Sequence, residues 1–420
     1  MYFGALKKSM RSNLVLIFTF LLHAAGIAQD NPLKIRLDPS DAMGASVSQV
    51  FAEVRFTPLE TTKTSSFGQI SELVITEEFF IILDDQTNAI LIFRKDGKFH
   101  AKISGGSNPS DRIMLFHVNR FAKEIQFVKS GNGQPKKYYF GFDAIKKKEE
   151  ALAMEANSFL QYAELPGAGI IGQRYTAGED YPDSTAYELT LLKTAKATAG
   201  YLPYNTKKSP LAKGDIRPYS SSPFFRTTND TILYFSRYWD YSVYRITPHT
   251  FQKELDFIFP RDYSLPAGFM TDSSLLGKRQ EYAQSNKQAI YLIPSFLNLP
   301  GNYLLKLKNN QSPVDASTVL DYTLFLYNIR SGTLIDLFKV LPDQSSSFLP
   351  IVDNLGNVSM NAKAYSDGQH LYTSVSSLSM FLSQERNGDK KVRYEKTMEN
   401  YFRTRNRKDN PVIVQLRPKS

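Results

Sequence analysis

The chain has 420 residues, with 51 lysines and arginines against 41 acidic residues, no cysteine, one tryptophan, 24 tyrosines and 29 phenylalanines. Hydrophobic residues make up 42% and charged residues 22% of the chain, which is typical of a folded protein rather than a disordered one. The lack of cysteine excludes disulfides, thiolate metal sites, a cysteine nucleophile and a lipid-modified N-terminal cysteine. Packing alone must therefore hold the fold together.

Residues 1–28 have the layout of a secretory signal peptide. Lys7, Lys8 and Arg11 form a basic start, an apolar run covers 14–22, and small residues end the segment at Gly26-Ile27-Ala28. An uncleaved membrane anchor is the alternative, but the apolar run is short for the ~20 residues that cross a bilayer. We expect cleavage before Gln29 and export to the periplasm or beyond, with no integral membrane segment left and no lipid anchor. Cleavage removes three basic residues and no acidic one, so the net charge falls from +10 to +7.

Short runs of aromatic and β-branched residues separated by turn residues predict a chain made mainly of strands. The clearest runs are Ile81–Leu83, Ile90–Phe93, Tyr138–Phe140, Ile232–Phe235, Ile290–Ile293 and Val412–Val414. Asp96-Gly97 predicts a hairpin turn, because this pair tolerates positive φ angles. The best candidate helix is Ile145–Phe159. Helices do not alternate regularly with strands, so a layered α/β fold is disfavoured.

An aspartate followed by an apolar strand recurs along the chain. The copies begin at Asp85, Asp183, Asp240, Asp321 and Asp409. A further strand group at Lys137–Phe142 lies near the middle of the longest gap and brings the number of units to six. A period of roughly 50 residues with several strands per unit predicts an all-β fold, a six-bladed β-propeller. A chance series of strands in a β-sandwich is the alternative.

The last unit predicts how the ring closes. After several copies a turn and another strand follow, as at Arg94–Phe99 and Arg330–Ile335, but the sixth copy has no such strand before Ser420. Either Pro32–Leu37 or Glu53–Leu59 can supply it, which pairs the N- and C-terminal strands and removes an open edge. We therefore expect residues 29–420 to form a single propeller domain, with blades from about residue 40 and long insertions in the later blades.

Both ends of the chain resemble a known family. Phe56–Thr62, Ile70–Ile75, Leu83–Asp85 and Ile90–Phe99 look like the opening blade of the six-bladed β-propeller proteins of Bacteroidetes, and Asp409–Val414 is similar to their last strand. The family's Pro-Gly-Glu turn reads Gly105–Asp111 here, with the acidic residue displaced. The resemblance implies an exported, NHL-like propeller of largely uncharacterised function, acting as a binding module beside nutrient-uptake systems. Many relatives are lipoproteins, which this cysteine-free chain cannot be.

Local motifs give little support to a cofactor or a metal. Gly167–Gly172 spells G-x-G-x-x-G, but Gly178 and Pro182 follow where a dinucleotide site needs a helix, so a glycine-rich strand turn is the better interpretation. The histidines of the mature chain, at 100, 117, 249 and 370, form no metal-binding motif. The blade aspartates are expected to form turns. Dispersed carboxylates that hold a divalent cation in the central channel stay an alternative.

The segment Arg237-Tyr238-Trp239 contains the only tryptophan and is the first candidate ligand-binding site. Its rings and its guanidinium could stack on a sugar or clamp an anionic or peptide group. In the alternative, Trp239 packs between blades and Arg237 is solvated. Arg174-Tyr175 is a weaker candidate of the same kind.

The basic runs Arg403–Lys408 and Lys146–Lys148 are expected to be solvated faces, with contact to an anionic polysaccharide or lipopolysaccharide as the alternative. Nucleic acid is not an expected partner. The sequence as a whole predicts a monomeric, non-enzymatic module that binds a protein or glycan ligand at the cell envelope, with a role in glycan or nutrient uptake as the narrower hypothesis. A metal-assisted hydrolase, lactonase or lyase with its site in the central channel is the alternative.

Overall fold

The computed structural model describes residues 31–108, 111–129, 135–151, 161–173, 185–193, 196–205, 222–311, 323–353 and 363–420, together with Asp215 and Leu320. In these ranges no helix is both long and apolar enough to cross a membrane.

The N-terminal segment contributes three strands, β1 (Leu33–Arg36), β2 (Met43–Ser46) and β3 (Phe51–Pro58). The rest of the described chain folds into six small antiparallel sheets, which are the blades of a six-bladed propeller. Blade 1 consists of β4 (Glu72–Ile75), β5 (Phe79–Asp84), β6 (Ala89–Arg94) and β7 (Phe99–Ser104); blade 2 of β8 (Met114–Asn119), β9 (Glu124–Lys129), β10 (Lys136–Gly141) and β11 (Lys146–Ala151); and blade 3 of β12 (Gln161–Leu165), β13 (Gly169–Gln173), β14 (Thr185–Lys193) and β15 (Lys196–Asn205). Blade 4 consists of β16 (Phe224–Arg226), β17 (Leu233–Phe235), β18 (Ser242–Ile246) and β19 (Phe251–Ile258); blade 5 of β20 (Leu292–Leu299), β21 (Asn302–Lys308), β22 (Phe325–Asn328) and β23 (Leu334–Leu341); and blade 6 of β24 (Tyr365–Ser366), β25 (Leu371–Val375) and β26 (Val412–Pro418).

The first strand of each blade lies next to the axis of the ring. β16 contacts β20, β20 contacts β24, and β24 contacts β4, although each pair belongs to different sheets. These inner strands surround the central channel, as in other propellers.

Both faces of a blade are buried against its neighbours, which explains the unbroken apolar runs in the sequence. In blade 1, Ile82 and Leu91 pack in one cluster with Tyr372 of blade 6, whereas Ile81 and Ile90 pack on the opposite face in a cluster with blade 2. Side chains alternate between the two faces of a strand, so the two middle strands of the blade need apolar residues on both faces.

The predicted repeat is confirmed as one strand in each blade, and it is always the third: β6, β10, β14, β18, β22 and β26. Asp85, Asp240 and Asp409 lie in the turns before these strands, while Asp183 and Asp321 fall outside the described residues. The Asp96-Gly97 hairpin joins β6 to β7, with Gly97 at a φ of +85°. Gly167–Gly172 covers the turn between β12 and β13 and most of β13, a glycine-rich strand turn as predicted.

The ring closes through the second of the two predicted N-terminal strands. β3 pairs antiparallel with β26, so that Phe56 lies opposite Val414, and becomes the outermost strand of blade 6. The first candidate, Pro32–Leu37, does not close the ring: β1 adds in parallel to β19 of blade 4, and β2 adds in parallel to β23 of blade 5. The N-terminal segment thus runs along the outer edges of blades 4, 5 and 6 in turn.

The predicted helix at Ile145–Phe159 is wrong over 146–151, which form the exposed outer strand β11, and 152–160 fall outside the described residues. Lys136 of β10 pairs with Glu149 at 2.8 Å across the two strands, and Tyr139 donates a hydrogen bond to Glu150. Cross-strand partners of this kind stabilise a strand as well as helical spacing stabilises a helix. The described helices are α1 (Val47–Val50), α2 (Arg279–Ser285), α3 (Ser377–Arg386) and α4 (Lys396–Thr404); α2 precedes blade 5, and α3 and α4 interrupt blade 6.

Candidate functional site in the central channel

The channel is bridged at the end where the inner strands finish. Arg120, which follows β8, donates from Nη1 to Asp230 Oδ1 at 2.8 Å and from Nε to the Ile75 carbonyl at 3.3 Å. These contacts join the turns of blades 2, 4 and 1 across the channel. From blade 6, Gly368 approaches Thr228 so closely that an added Cβ would lie 2.7 Å from its Oγ1. The turns of four blades therefore narrow this end.

Three charged side chains from different blades interact electrostatically in the channel. Glu72 begins β4, Arg226 ends β16, and Lys363 precedes β24. Desolvation by the surrounding walls of the channel raises the pKa of the Glu72 carboxyl, and the positive charges of Lys363 and Arg226 offset that effect only in part. Blades 1 and 4 lie opposite each other in a ring of six, so the interaction of Glu72 with Arg226 crosses the channel. Glu72 is nevertheless exposed to solvent, as expected of a residue that lines a water-filled channel.

The two cations make hydrogen bonds to main-chain carbonyls. Arg226 Nη1 donates to the Glu164 carbonyl at 3.3 Å, and Lys363 Nζ donates to the Ser71 carbonyl. By contrast, Lys137 forms an ion pair with the Glu164 carboxylate in the wall between blades 2 and 3. Neither cation forms a close salt bridge with a carboxylate among the described residues, although Glu164, Glu72 and Asp230 interact with Arg226 electrostatically at longer range, so a closer anion would gain charge-assisted hydrogen bonds.

Of two further tyrosines, Tyr365 interacts with Glu72, whereas Tyr162 packs in the wall between blades 2 and 3 against Val128 and Ile170. Burial is the main cause that raises the pKa of both Tyr162 and Tyr365, so both hydroxyls stay protonated and able to donate. Tyr365 donates to the Ile70 carbonyl at 3.4 Å. The buried hydroxyl of Tyr162 has no hydrogen-bond partner among the described residues.

His117 on β8 is the second buried polar group with an unpaired atom. Its side chain is only 4% exposed, and Nδ1 has no hydrogen-bond partner among the described residues. Burial lowers the pKa of His117 to about 2, and the charges of Arg226, Lys137 and Arg120 act in the same direction. The imidazole is therefore neutral at physiological pH and offers one donor and one acceptor.

The arrangement has the chemistry that could bind a small anion. Arg226 and Lys363 supply positive charge in the channel, and the raised pKa of Glu72 weakens one of the opposing charges. Tyr162 and His117 carry buried polar atoms without a hydrogen-bond partner among the described residues. In the described part of the chain, no three histidine, aspartate or glutamate side chains come close enough to hold a metal ion.

The structure places the residues of the first predicted site in the protein interior. Tyr238 and Trp239 are 7% and 5% exposed and pack in a cluster with Phe269 and Tyr291. Trp239 Nε1 donates to the Asp215 carbonyl at 2.9 Å. These contacts cover the rings that a ligand would have to stack on.

Arg237 points away from that cluster and joins blades 3 and 4. It lies 2.6 Å from Glu188 of β14 and 2.9 Å from Asp240. Arg174 and Tyr175 fall outside the described residues. Ligand binding by these five residues stays a prediction.

The channel residues Glu72, Arg226 and Lys363 were missed at the level of the sequence because no local motif contains them. Each comes from a different blade, and the ring alone brings them together. The sequence feature that could have indicated these channel residues is a charged residue next to an apolar inner strand. Glu72 comes before Leu73-Val74-Ile75, and Arg226 comes after Phe224-Phe225.

A family model described as "Domain of unknown function (DUF4934)" matches residues 34–417. The chain belongs to the DUF4934 family. The match runs from β1 to β26, so the family pattern includes the N-terminal strands as well as all six blades. The chain matches none of the curated proteins with which it was compared.

Among solved structures, this DUF4934 chain is similar to one described as a "Putative exported protein" from Bacteroides fragilis, with a TM-score of 0.61 and 13% identity, over 92% of this chain and 100% of that one. A DUF4221 family member from Bacteroides vulgatus gives a TM-score of 0.45 at 9% identity, over 88% and 97%. The structure of streptogramin B lyase gives a TM-score of 0.36 at 10% identity, over 89% of this chain and 100% of that one. The first likeness shows the fold. The resemblance to Bacteroidetes propellers is thus confirmed at that level, and the NHL-like assignment stays a prediction.

Proposed function

We propose that the protein is an exported binding module that holds a small anionic ligand in its central channel. The observation that carries this proposal is that Arg226 and Lys363, from blades 4 and 6, both act on Glu72 in the channel while they donate to main-chain carbonyls of the ring. Both cations bond to carbonyls instead of carboxylates. A carboxylate or phosphate of the ligand would supply a closer negative charge and accept charge-assisted hydrogen bonds.

An acidic sugar is the ligand class that fits the remaining groups. Its carboxylate would lie between Arg226 and Lys363. One of its hydroxyls would pair with Nδ1 of His117, which interacts with Arg226 and has no hydrogen-bond partner among the described residues, because a buried polar group without a partner is costly and gains from a ligand that pairs with it. An acidic sugar as ligand agrees with a role in glycan uptake, the narrower form of the binding-module hypothesis drawn from the sequence.

Export is supported by the N-terminal layout of residues 1–28, and the Bacteroides fragilis structure is likewise described as that of an exported protein. The absence of cysteine supports the part of the proposal that the exported protein, in the periplasm or outside the cell, has no lipid anchor.

Isothermal titration calorimetry with a matched pair of sugars, galacturonate and galactose, tests the proposal. We expect galacturonate to bind and galactose to bind weakly or not at all. Arg226→Gln and Lys363→Gln should each weaken galacturonate binding by roughly tenfold or more, the usual range for a hydrogen bond to a charged group. Lys34→Gln, an exposed residue on β1, should leave it unchanged.

Equal binding of the acidic and the neutral sugar, or full binding by Arg226→Gln, would contradict the proposal. Tightly bound Ca²⁺, Mn²⁺ or Zn²⁺ in elemental analysis of the same preparation would instead favour the alternative of a metal-assisted hydrolase.

A further inference from the structure

Two large apolar side chains project into solvent at one end of blade 2. Phe121, in the turn between β8 and β9, is 99% exposed, and Ile145, in the turn between β10 and β11, is 65% exposed. The strands of the blade are antiparallel in the order β11-β10-β9-β8, so both turns lie at the same end of the sheet. They are two inter-strand spacings apart, or about 10 Å.

Positive charge is concentrated in the same part of the chain. The stretch 94–151, which contains β7 and blade 2, has 13 lysines and arginines against six acidic residues. This excess of seven equals the net charge of +7 expected for the whole mature chain. β11 begins with Lys146, Lys147 and Lys148 and is exposed along its whole length.

The ion pairs of these lysines do not remove the excess. Lys147 lies 3.3 Å from Glu124 and Lys148 lies 3.3 Å from Glu150. Lys123, beside Phe121, lies 2.9 Å from Glu78. Each of these lysines has a side chain at least 44% exposed, and pairs of this kind are weak and screened by salt.

We propose that this end of blade 2 docks on a bilayer surface that contains anionic phospholipids, with Phe121 and Ile145 inserted among the headgroups. A phenylalanine at the tip of a tight turn is convex, so a fluid bilayer accommodates it without a preformed pocket. Apolar side chains flanked by lysines are the usual combination at membrane interfaces, and each lysine near an anionic surface adds attraction.

The rest of the fold agrees with this orientation. The N-terminal strands cover the outer edges of blades 4, 5 and 6, whereas no described strand pairs with the outer edge of β11 in blade 2, and β11 is exposed. Phe121 lies in the same turn as Arg120, at the bridged end of the channel. The opposite mouth of the channel therefore faces away from the bilayer. The proposal does not depend on the identity of the channel ligand.

Flotation of the mature protein with vesicles tests the proposal, using phosphatidylcholine alone and phosphatidylcholine mixed with phosphatidylglycerol. We expect binding to the mixed vesicles, weaker at high salt, and little binding to phosphatidylcholine. Phe121→Ser should lower the partition coefficient by roughly ten- to a hundredfold, the range for one buried aromatic side chain. Leu341→Ser, which removes another side chain that is 69% exposed but lies on blade 5, should have no effect.

The depth to which residue 121 enters the bilayer is measured from the quenching of tryptophan fluorescence in Phe121→Trp by brominated lipids. The native Trp239 is 5% exposed and should not be quenched, whereas the new tryptophan should be. All variants change exposed residues, so their melting temperatures should match that of the wild type. Equal binding to both kinds of vesicle, unchanged binding of Phe121→Ser, or no quenching of Phe121→Trp would overturn the proposal.

Discussion

At the scale of single residues, His117 links the channel wall to the stability of the protein. Its pKa falls from an ordinary value near 6.5 in the unfolded chain to about 2 in the folded one, first because of burial. A group with a lowered folded pKa of this type binds a proton only in the unfolded state. Its contribution to stability is full above the unfolded pKa and is lost as the pH falls below it.

The free energy of unfolding should therefore fall on acidification because of His117. Linkage gives a loss of about 2 kcal/mol from this residue between about pH 7.5 and pH 5, and any folded pKa well below 5 gives the same figure. Urea unfolding at both pH values checks this for the wild type and His117→Gln. The variant should lack this part of the pH dependence; identical pH profiles would contradict the assignment of a neutral, buried imidazole.

The ion pair of Arg279 with Asp215 is the most deeply buried one among the described residues, with both side chains 0% exposed and 3.0 Å between Nη1 and Oδ2. Asp215 also accepts hydrogen bonds from the backbone amides of Gly277 and Arg279. This carboxylate fixes the segment before blade 5 beside the Trp239 cluster.

Arg279→Met should lower the free energy of unfolding by about 3–5 kcal/mol, because it leaves a buried carboxylate without its counter-charge. The matched control is Arg407→Met, which breaks the exposed pair with Glu385 at 2.5 Å and should cost at most about 1 kcal/mol. Denaturant titration measures both. Similar losses of unfolding free energy in the two variants would show that burial does not determine how much the Arg279–Asp215 pair stabilises the protein.

At the scale of elements, the hairpin at Gly97 shows how blade 1 is attached to the closing strand. Gly97 has a φ of +85°, and an added Cβ would lie 2.1 Å from the carbonyl oxygen of Pro58, the last residue of β3. Glu60, just after β3, donates its amide to the Gly97 carbonyl at 2.9 Å. The turn between β6 and β7 therefore needs glycine both for its backbone angle and for the close approach of β3.

Gly97→Ala and Gly167→Ala separate these two requirements. Gly167 has a φ of +81° with nothing within 4 Å of an added Cβ, so its substitution should cost only the backbone strain of about 1–2 kcal/mol. Gly97→Ala should cost clearly more, because the Pro58 carbonyl must also move. Thermal unfolding compares the two variants, and equal losses would argue against a close contact between the hairpin and β3.

Strands could be predicted from the sequence where burial is complete on both faces, and this explains why β5, β6 and β26 were found. β11 was mistaken for a helix because its run of lysines and glutamates has no alternation of apolar and polar residues. The partners that make it a strand lie on β10, and local spacing does not reveal them. β1 and β2 were similarly hard to place, since a short strand fits the outer edge of several blades equally well.

At the scale of the whole molecule, ring closure was predictable because the sixth unit lacks a fourth strand. The channel site was not, because Glu72, Arg226 and Lys363 are neighbours only once six blades have formed a circle. Trp239 drew notice as the single tryptophan, yet it packs in a cluster beside blade 4. Rarity in a sequence is thus a weaker guide to a propeller site than charge beside an inner strand.

Closure of the propeller ring by β3 and β26 can be tested with an engineered disulfide, since the chain has no cysteine of its own. Arg55 of β3 lies opposite Gln415 of β26, so Arg55→Cys with Gln415→Cys should form a bond that constrains a very long loop of the unfolded chain. We expect a stabilisation of about 2–4 kcal/mol that disappears on reduction. Melting curves with and without reductant measure it. Failure of the double variant to form the bond, or a bond only between molecules, would contradict the pairing of β3 with β26.

The central claim is that the channel attracts an anion between Arg226 and Lys363. Anomalous diffraction from crystals soaked in bromide tests it most directly, because the bromide position is measured whatever the natural ligand is. A bromide should lie in the channel within hydrogen-bond distance of Arg226 and Lys363 in the wild type and be lost in Arg226→Gln. A channel without bromide, while other sites on the surface are occupied, would contradict the claim.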